Sequence, residues 1–127
     1  LEVGPHLGGI GRGLGAEHGP FDLTLLPIGA YNTSWPDIHM NPEEAVRAHR
    51  DVADAGLLVP IHWCTFRLAP HPWAEPVERL LAAAADAGVD VAVPQPGGRV
   101  VAGESAAAEA AIDRSAAEAA IDRWWRL

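Results

Sequence analysis

Short apolar runs alternate with helix-forming segments along this chain, and that alternation limits the folds open to it more than any other feature. Residues 21–29 and 57–61 form two apolar runs bounded by proline or glycine, and their length and content favour buried strands. Between them, an Asn-Pro-Glu-Glu start at residues 41–44 predicts a helix. We expect that helix to run to Ala55 and to stop at Gly56 in the left-handed conformation.

The rest of the chain extends the same pattern. A second helix is predicted over about residues 75–87 and a short strand over 89–93. Residues 95–98 indicate a turn, after which residues 99–101 are expected to pair back. Only a weak helix is expected around residues 6–10, because each nearby glycine costs ~1 kcal/mol relative to alanine. The order strand, helix, strand, helix, strand predicts an α/β layered unit with helices covering a sheet.

The composition excludes several classes of function. A chain of 127 residues suits one small domain, and its net charge of −8 argues against a nucleic-acid partner. No apolar stretch approaches the roughly 20 residues that a transmembrane helix needs. The single cysteine, Cys64, excludes an internal disulfide and fits a reducing compartment. We therefore expect a cytoplasmic protein without a transmembrane segment.

Both ends of the chain differ from this α/β unit. The chain begins with Leu1 and opens directly into a Gly-rich stretch, so we expect it to start within something larger. At the other end, residues 105–114 recur, one alanine shorter, as 115–123, and alanine-rich repeats form helix readily. We therefore divide the chain into an α/β part over 1–103 and an Ala-rich duplicated helical tail over 104–127. A solvent-facing helix and a partner-binding helix are both open for that tail.

His62 directly follows the apolar run 57–61 and is the most informative candidate for a functional residue. Ligands of open α/β sheets gather where parallel strands end, and histidine is the commonest metal ligand. A lone histidine at such a place is nevertheless more often packed or hydrogen-bonded than a ligand, so both interpretations stay open. His49 falls on the apolar stripe of the first strong helix and is predicted to be a core residue. Three further histidines carry no spacing signal: His6, His18 and His71.

Four blocks of residues together resemble a known family. They are Gly-Pro-His at 4–6, Pro-Ile-Gly-Ala-Tyr at 27–31, His-Met-Asn-Pro-Glu-Glu-Ala at 39–45 and Pro-Ile-His-Trp-Cys-Thr-Phe at 60–66. In this order and spacing they resemble the C-terminal half of metallo-β-lactamase-fold hydrolases. The most similar branch is that of N-acyl-phosphatidylethanolamine-hydrolysing phospholipase D and its bacterial relatives. The resemblance covers about residues 3–81.

The resemblance implies the C-terminal half of an αββα metallo-β-lactamase sandwich with a dinuclear zinc site at one edge. In the family most zinc ligands come from a His-x-His-x-Asp-His motif, a further histidine and a bridging aspartate, all N-terminal to the part matched here. Only the last metal ligand maps onto this chain, and it maps onto His62. His39 matches a histidine thought to contact substrate, which makes it the candidate catalytic residue, with a simple loop hydrogen bond as the alternative.

Cys64 departs from the family pattern, which has glycine at that position. A thiol beside the last ligand could add bulk or a stray soft ligand. An alternative hypothesis makes Cys64 a nucleophile with His62 as its base.

For function, the resemblance implies hydrolysis of an ester, phosphodiester or lactone bond by metal-bound hydroxide, on a small-molecule or lipid-like substrate. A catalytic zinc needs about three protein ligands. We therefore expect the two zinc ions only in the complete protein, and we expect this chain to be inactive alone. A missing N-terminal half, or another copy in a homo-oligomer, is the expected partner. The alternative is a non-catalytic α/β fragment that associates with a partner through an exposed sheet edge.

Overall fold

The computed structural model describes residues 5–36, 38–53, 55–102 and 123–126. They form a small α/β unit whose six elements follow in the order α1 (Pro5–His18), β1 (Leu23–Pro27), α2 (Pro42–Val52), β2 (Leu57–Ile61), α3 (Glu75–Ala87) and β3 (Asp90–Val91). The predicted class and alternation of elements are confirmed. The duplicated tail, apart from residues 123–126, lies outside the described residues, so its predicted helix stays a prediction.

The three strands form one parallel sheet in the order β1-β2-β3. Leu58 of β2 pairs with Thr24 on one side and with Val91 on the other. Parallel neighbours need crossover connections, which α2 and α3 supply. The continuous apolar run of β2 suits a central parallel strand, because both of its edges are paired with neighbouring strands. The carboxyl ends of β1 and β2 therefore lie side by side at one edge of the sheet.

The start of α2 is confirmed and its end is corrected. Asn41 accepts a hydrogen bond from the Glu44 backbone N–H at 2.9 Å, and the Glu44 carboxylate accepts the Asn41 N–H at 2.8 Å. This capping box satisfies two otherwise unpaired donors. The helix ends at Val52, not at Ala55, with a right-handed cap at Ala53. Gly56 is not a left-handed stop; a side chain there would collide with the Phe21 carbonyl oxygen, so the glycine permits the approach of the chain before β1.

The predicted α3 is confirmed from Glu75 to Ala87, with Gly88 in the left-handed conformation at φ 67°. The following strand is shorter than predicted, since only Asp90 and Val91 pair with β2. The turn over 95–98 is confirmed by a hydrogen bond from the Gly98 N–H to the Gln95 carbonyl at 2.7 Å. Residues 99–101 are described without strand structure, so the expected pairing back is wrong.

The first helix is longer than its glycine content predicts, running for 14 residues. Gly11 and Gly15 lie against Asp51 and Val52 at the end of α2, where a larger residue at position 15 would overlap the Asp51 carbonyl. Close packing between α1 and α2 therefore offsets the low helix propensity, because tertiary contacts supply most of the stability of protein helices.

The core lies between the sheet and helices α2 and α3. Its fully buried members include Ile28, Leu58, Val77 and Leu80. The opposite face of the sheet is apolar and uncovered within the described residues, where Leu23, Leu25 and Ile61 are 37%, 56% and 41% exposed. No helix in the described ranges has the length and apolar character needed to cross a membrane.

Candidate functional site

The candidate site lies at the sheet edge where β1 and β2 end. Gly29 and Ala30 follow β1, and His62 follows β2 immediately after Ile61. The two segments are joined by a hydrogen bond from the Ile28 N–H to the Ile61 carbonyl oxygen at 3.1 Å. This is the edge at which open parallel sheets bind their ligands.

Backbone strain is concentrated at the same edge. Three non-glycine residues of the described chain have a positive φ, namely Ala30 at 64°, His62 at 59° and Cys64 at 56°. A residue with a Cβ atom pays roughly 1–2 kcal/mol to adopt this left-handed conformation. Such strain persists where the surrounding structure holds it, and it clusters at functional sites.

The structure brings the two sequence-predicted site residues together. The imidazole rings of His39 and His62 stack with their centroids 5.2 Å apart and an interplanar angle of 18°. His62 is exposed and His39 is half-buried, so the pair is open to solvent rather than packed into the core. His39 lies two residues before Asn41, the N-cap of α2. Anions are favoured near such a helix start by its free N–H groups and dipole.

A small cleft beside His62 contains a third histidine that the sequence did not single out. Six of its lining residues matter for the chemistry of the site: Gly29, Ala30, His62, Cys64, His71 and Trp73. His71 was grouped with the histidines that lack a spacing signal because prolines flank it on both sides. The sequence did offer one signal, namely that His71 lies in the connection between β2 and α3. That connection passes the sheet edge where β2 ends.

His71 is held by hydrogen bonds at both ring nitrogens. Its Nε2 accepts the Ala30 backbone N–H at 3.1 Å, and its Nδ1 lies 3.2 Å from the Pro72 carbonyl oxygen. Because a carbonyl oxygen only accepts and an amide N–H only donates, these contacts assign the proton to Nδ1. Both ring nitrogens are therefore engaged, and neither is left for a metal or a proton transfer in this arrangement.

Tyr31 packs against the face of the His71 ring. The two rings stack at 4.7 Å with an interplanar angle of 20°. The Tyr31 hydroxyl donates to Glu75 at 2.6 Å, and burial together with this bond raises the pKa of Tyr31. The guanidinium of Arg79 lies 4.9 Å from the Tyr31 ring centre and pairs with Glu43 at 2.6 Å. These contacts tie the loop after β1 to both α2 and α3.

A cluster of indoles includes Trp63, the residue that follows His62. The Trp63 ring is 5.5 Å from Trp124 and 5.8 Å from Trp125, and Trp125 is 1% exposed. The Trp125 Nε1–H donates to Glu78 on α3 at 2.9 Å, and Arg126 donates to the same carboxylate at 2.8 Å. Residues near the end of the chain thus form part of the packing on which the His62 segment rests.

Cys64 is poorly suited to act as a nucleophile. Burial raises the pKa of its thiol, and a hydrogen bond with the Trp73 side chain only partly opposes that effect. The reactive form of cysteine is the thiolate, which a raised pKa disfavours. The raised pKa therefore argues against the hypothesis that Cys64 acts as a nucleophile with His62 as its base.

The described residues do not form a zinc site by themselves. No group of three or more His, Cys, Asp or Glu side chains with metal-binding geometry occurs among them. A catalytic zinc needs about three protein ligands, whereas His39 and His62 supply two imidazoles at most. Any metal at this edge therefore needs ligands from outside the described part of the chain.

Comparison with known proteins identifies the chain's relatives. Residues 4–63 match the family described as the beta-lactamase superfamily domain. An uncharacterized protein of Mycobacterium tuberculosis strain H37Rv is 79% identical over 89 residues, which are 68% of this chain and 24% of that protein. A UPF0173 metal-dependent hydrolase of Cupriavidus taiwanensis is 38% identical over 100 residues, covering 75% of this chain and 32% of the relative.

A third relative belongs to the phospholipase branch. The N-acyl-phosphatidylethanolamine-hydrolyzing phospholipase D 1 of Caenorhabditis elegans is 40% identical over 70 residues, which are 53% of this chain and 19% of that enzyme. The chain thus spans a third or less of each of these three relatives. Over residues 4–63 it is similar to a beta-lactamase superfamily domain, and it is distantly related to proteins named as hydrolases.

Proposed function

We propose that this chain contributes His62 as a metal ligand and His39 as a substrate-contacting residue to a zinc-dependent hydrolase site. The proposed reaction is cleavage of an ester, phosphodiester or lactone bond in a small-molecule or lipid-like substrate. The observation that carries the proposal is the stacked pair of His39 and His62 at the carboxyl edge of the sheet. One relative named as a metal-dependent hydrolase and one named as a phospholipase D support the same chemistry.

The two histidines are suited to different tasks. His62 is exposed on a strained backbone at the end of the central strand, which fixes the start of its side chain and leaves the ring accessible. His39 stacks on that ring and precedes the N-terminus of α2, where an anionic group of a substrate would be stabilised. No reaction step is assigned to the metal, because the described residues supply too few ligands to hold one.

The finer fold that we propose is the C-terminal half of an αββα sandwich. Its support is the uncovered apolar face of the sheet, formed by Leu23, Leu25 and Ile61. Apolar faces of this kind are stabilised by packing on a second layer. In this proposal the second sheet, and with it the remaining metal ligands, comes from residues outside this chain.

A second proposal belongs to a different class, a non-catalytic α/β fragment that binds a partner through its sheet edge. The observation that favours it is that, within the described part of the chain, β1 pairs only with β2 and presents exposed leucines. Unpaired edges of this kind invite strand addition. This alternative requires no metal, which makes metal binding the measurement that separates the two proposals.

The decisive experiment uses the reading frame upstream of Leu1 and metal analysis. If that frame encodes a His-x-His-x-Asp-His motif, the longer protein is expected to copurify with stoichiometric zinc and to hydrolyse an ester, phosphodiester or lactone. His62→Ala is expected to lower its zinc content, whereas His39→Ala is expected to keep the zinc and lower kcat/KM. His18→Ala is the matched control, because His18 is exposed on α1 and pairs weakly with Glu17.

The same analysis applied to the 127-residue chain alone tests the prediction that it is inactive. We expect no tightly held zinc and no turnover from it. Stoichiometric zinc with hydrolase activity would overturn the prediction of inactivity. A continuous upstream frame without the motif, in a protein that binds no metal, would instead favour the non-catalytic fragment.

A further inference from the structure

The left-handed residue Ala30 is held from both sides by side chains. Its N–H donates to His71 Nε2 at 3.1 Å, and its carbonyl oxygen accepts the Trp35 indole N–H at 2.8 Å. Ala30 is 7% exposed, so water does not readily replace these partners. A strained buried residue keeps its conformation only while its surroundings enforce it. Both hydrogen bonds act directly on the peptide groups of Ala30.

The turn that contains Ala30 lies against the backbone of His62. A Cβ atom on Gly29 would overlap the His62 carbonyl oxygen and would lie 3.4 Å from the Trp63 Cα. The turn and the His62 segment are therefore in direct contact, with no side chain between them. A displacement of residues 29–30 changes the space available to His62. The φ of His62 is 59°, a conformation that a histidine does not favour by itself and that its surroundings must maintain.

His71 is itself a fixed support. Its ring stacks on Tyr31, and Tyr31 is bonded to Glu75 at the start of α3. The Pro72 carbonyl oxygen holds the opposite nitrogen of the imidazole. A side chain with both ring nitrogens bonded and one face stacked has little rotational freedom. His71 therefore links the turn after β1 to the start of α3, through its contact with Tyr31.

We infer that His71 is a positioning residue for the His39–His62 site, acting as the hydrogen-bond acceptor that holds the Ala30 turn against the His62 backbone. The part of the inference that concerns a reaction rests on the proposed hydrolase function. The structural part stands without it, because it concerns only contacts within this chain. His71 is assigned no contact with metal or substrate.

The test distinguishes the contribution of the His71 Nε2 acceptor from that of the packing of the ring. His71→Phe keeps a ring to stack on Tyr31 and removes the acceptor, whereas His71→Gln removes the ring and offers an amide oxygen. In the 127-residue chain, amide hydrogen exchange at Ala30 is expected to accelerate about tenfold in His71→Phe, the effect of losing one hydrogen bond. The nuclear Overhauser contacts between the His39 and His62 rings are expected to weaken with it.

His71→Gln is expected to restore both signals at least in part, while the urea unfolding midpoints of the two variants stay similar. If both variants lost the slow Ala30 exchange and the His39–His62 ring contacts equally, the ring rather than the hydrogen-bond acceptor would hold the turn. That result would overturn the inference. Unchanged Ala30 exchange in His71→Phe would also overturn it. If His71→Phe does not fold, the wild-type chain still decides the matter through nitrogen chemical shifts: a proton on Nδ1 is expected, and one on Nε2 contradicts the inference.

These readouts need neither metal nor substrate, so they distinguish the inference from the proposed function. If hydrogen exchange confirms the His71–Ala30 hydrogen bond but the longer protein lacks zinc and turnover, only the hydrolase proposal is contradicted. In an active longer protein, His71→Phe is expected to lower kcat with unchanged zinc content, and His71→Gln to recover it. Activity that is unaffected by His71→Phe would limit the role of His71 to structure and overturn the positioning role.

Discussion

Gly29 lies so close to the backbone carbonyl of His62 that a methyl group at position 29 would overlap the oxygen atom. Gly29→Ala is therefore expected to lower the free energy of unfolding by about 1–3 kcal/mol, because the overlap has to be relieved by backbone shifts. Urea denaturation measures the change. The His39–His62 ring contact is expected to weaken in the same variant.

Gly13→Ala is the matched control for that prediction. Gly13 lies in α1, and a Cβ atom there meets nothing within 4 Å. An alanine at an open helical position is expected to raise stability by about 0.5–1 kcal/mol. If Gly29→Ala behaved like Gly13→Ala, the close approach of Gly29 to His62 would be wrong.

Cys64 has a φ of 56°, a left-handed backbone conformation that favours glycine over residues with a Cβ atom. Cys64→Gly removes the Cβ penalty and is expected to stabilise the chain by about 1 kcal/mol, measured by chemical denaturation. Cys64→Ala keeps the Cβ atom and is expected to be neutral or slightly destabilising, since it loses only thiol packing. Equal stability of the glycine and alanine variants would contradict a strained backbone at position 64.

Glu78 accepts the hydrogen bonds that join residues 123–126 to α3. Arg126, Trp125 and Arg123 all donate to its carboxylate, and together they hold the pKa of Glu78 at about 2. A carboxylate with a depressed pKa in the folded state stabilises above its ordinary value of 4.5, and this stabilisation is lost as the pH falls towards 2. Stability is therefore expected to decline across that interval.

Glu78→Gln is expected to cost about 1–2 kcal/mol at neutral pH and to flatten the acid decline. Tryptophan fluorescence reports the change, because the Trp125 indole binds this carboxylate and packs on Trp63. Glu17→Gln is the control, since Glu17 is exposed and interacts only weakly with His18 at 3.7 Å. An acid decline that is the same in the wild type and in Glu78→Gln would rule out this origin.

Local signals in the sequence were enough for the main elements of the fold. The Asn-Pro start of α2 and the glycine end of α3 are decided by hydrogen bonding and backbone conformation within a few residues, and both are confirmed. The features that were predicted wrongly depend on distant contacts. Gly56 is needed for the close approach of Phe21, and the glycines of α1 for that of Asp51, and these partners are far from them in sequence.

The candidate site was predictable only in part for the same reason. His62 and His39 were identified through their motifs, but their stacking across 22 intervening positions depends on the path of the loop before α2. Their chemical roles stay predictions. His71 was missed because its importance derives from the backbone conformation of Ala30, 41 residues away, and no local pattern encodes that partnership.

His49 is fully buried between α2 and β1, as its place on the apolar stripe predicted. Its Nδ1 lies 2.8 Å from the Thr24 hydroxyl, while Nε2 has no hydrogen-bond partner among the described residues. Burial lowers the pKa of His49, and the Gly56 backbone and the charge of Asp90 only partly oppose this. A histidine with a lowered pKa takes up its proton more readily in the unfolded chain, so acid favours unfolding.

Stability is therefore expected to be full above the ordinary histidine pKa of 6.5 and to fall as the pH drops from there towards the lower pKa of the folded state. His49→Leu keeps the site filled and removes the titrating group, so urea midpoints measured between about pH 7 and 5 are expected to vary less than in the wild type. The unpaired Thr24 hydroxyl is expected to cost this variant about 1–3 kcal/mol at neutral pH. His18→Leu, at an exposed position, is expected to leave the pH dependence unchanged, and a similar flattening in that control would show that the dependence does not arise from the buried imidazole.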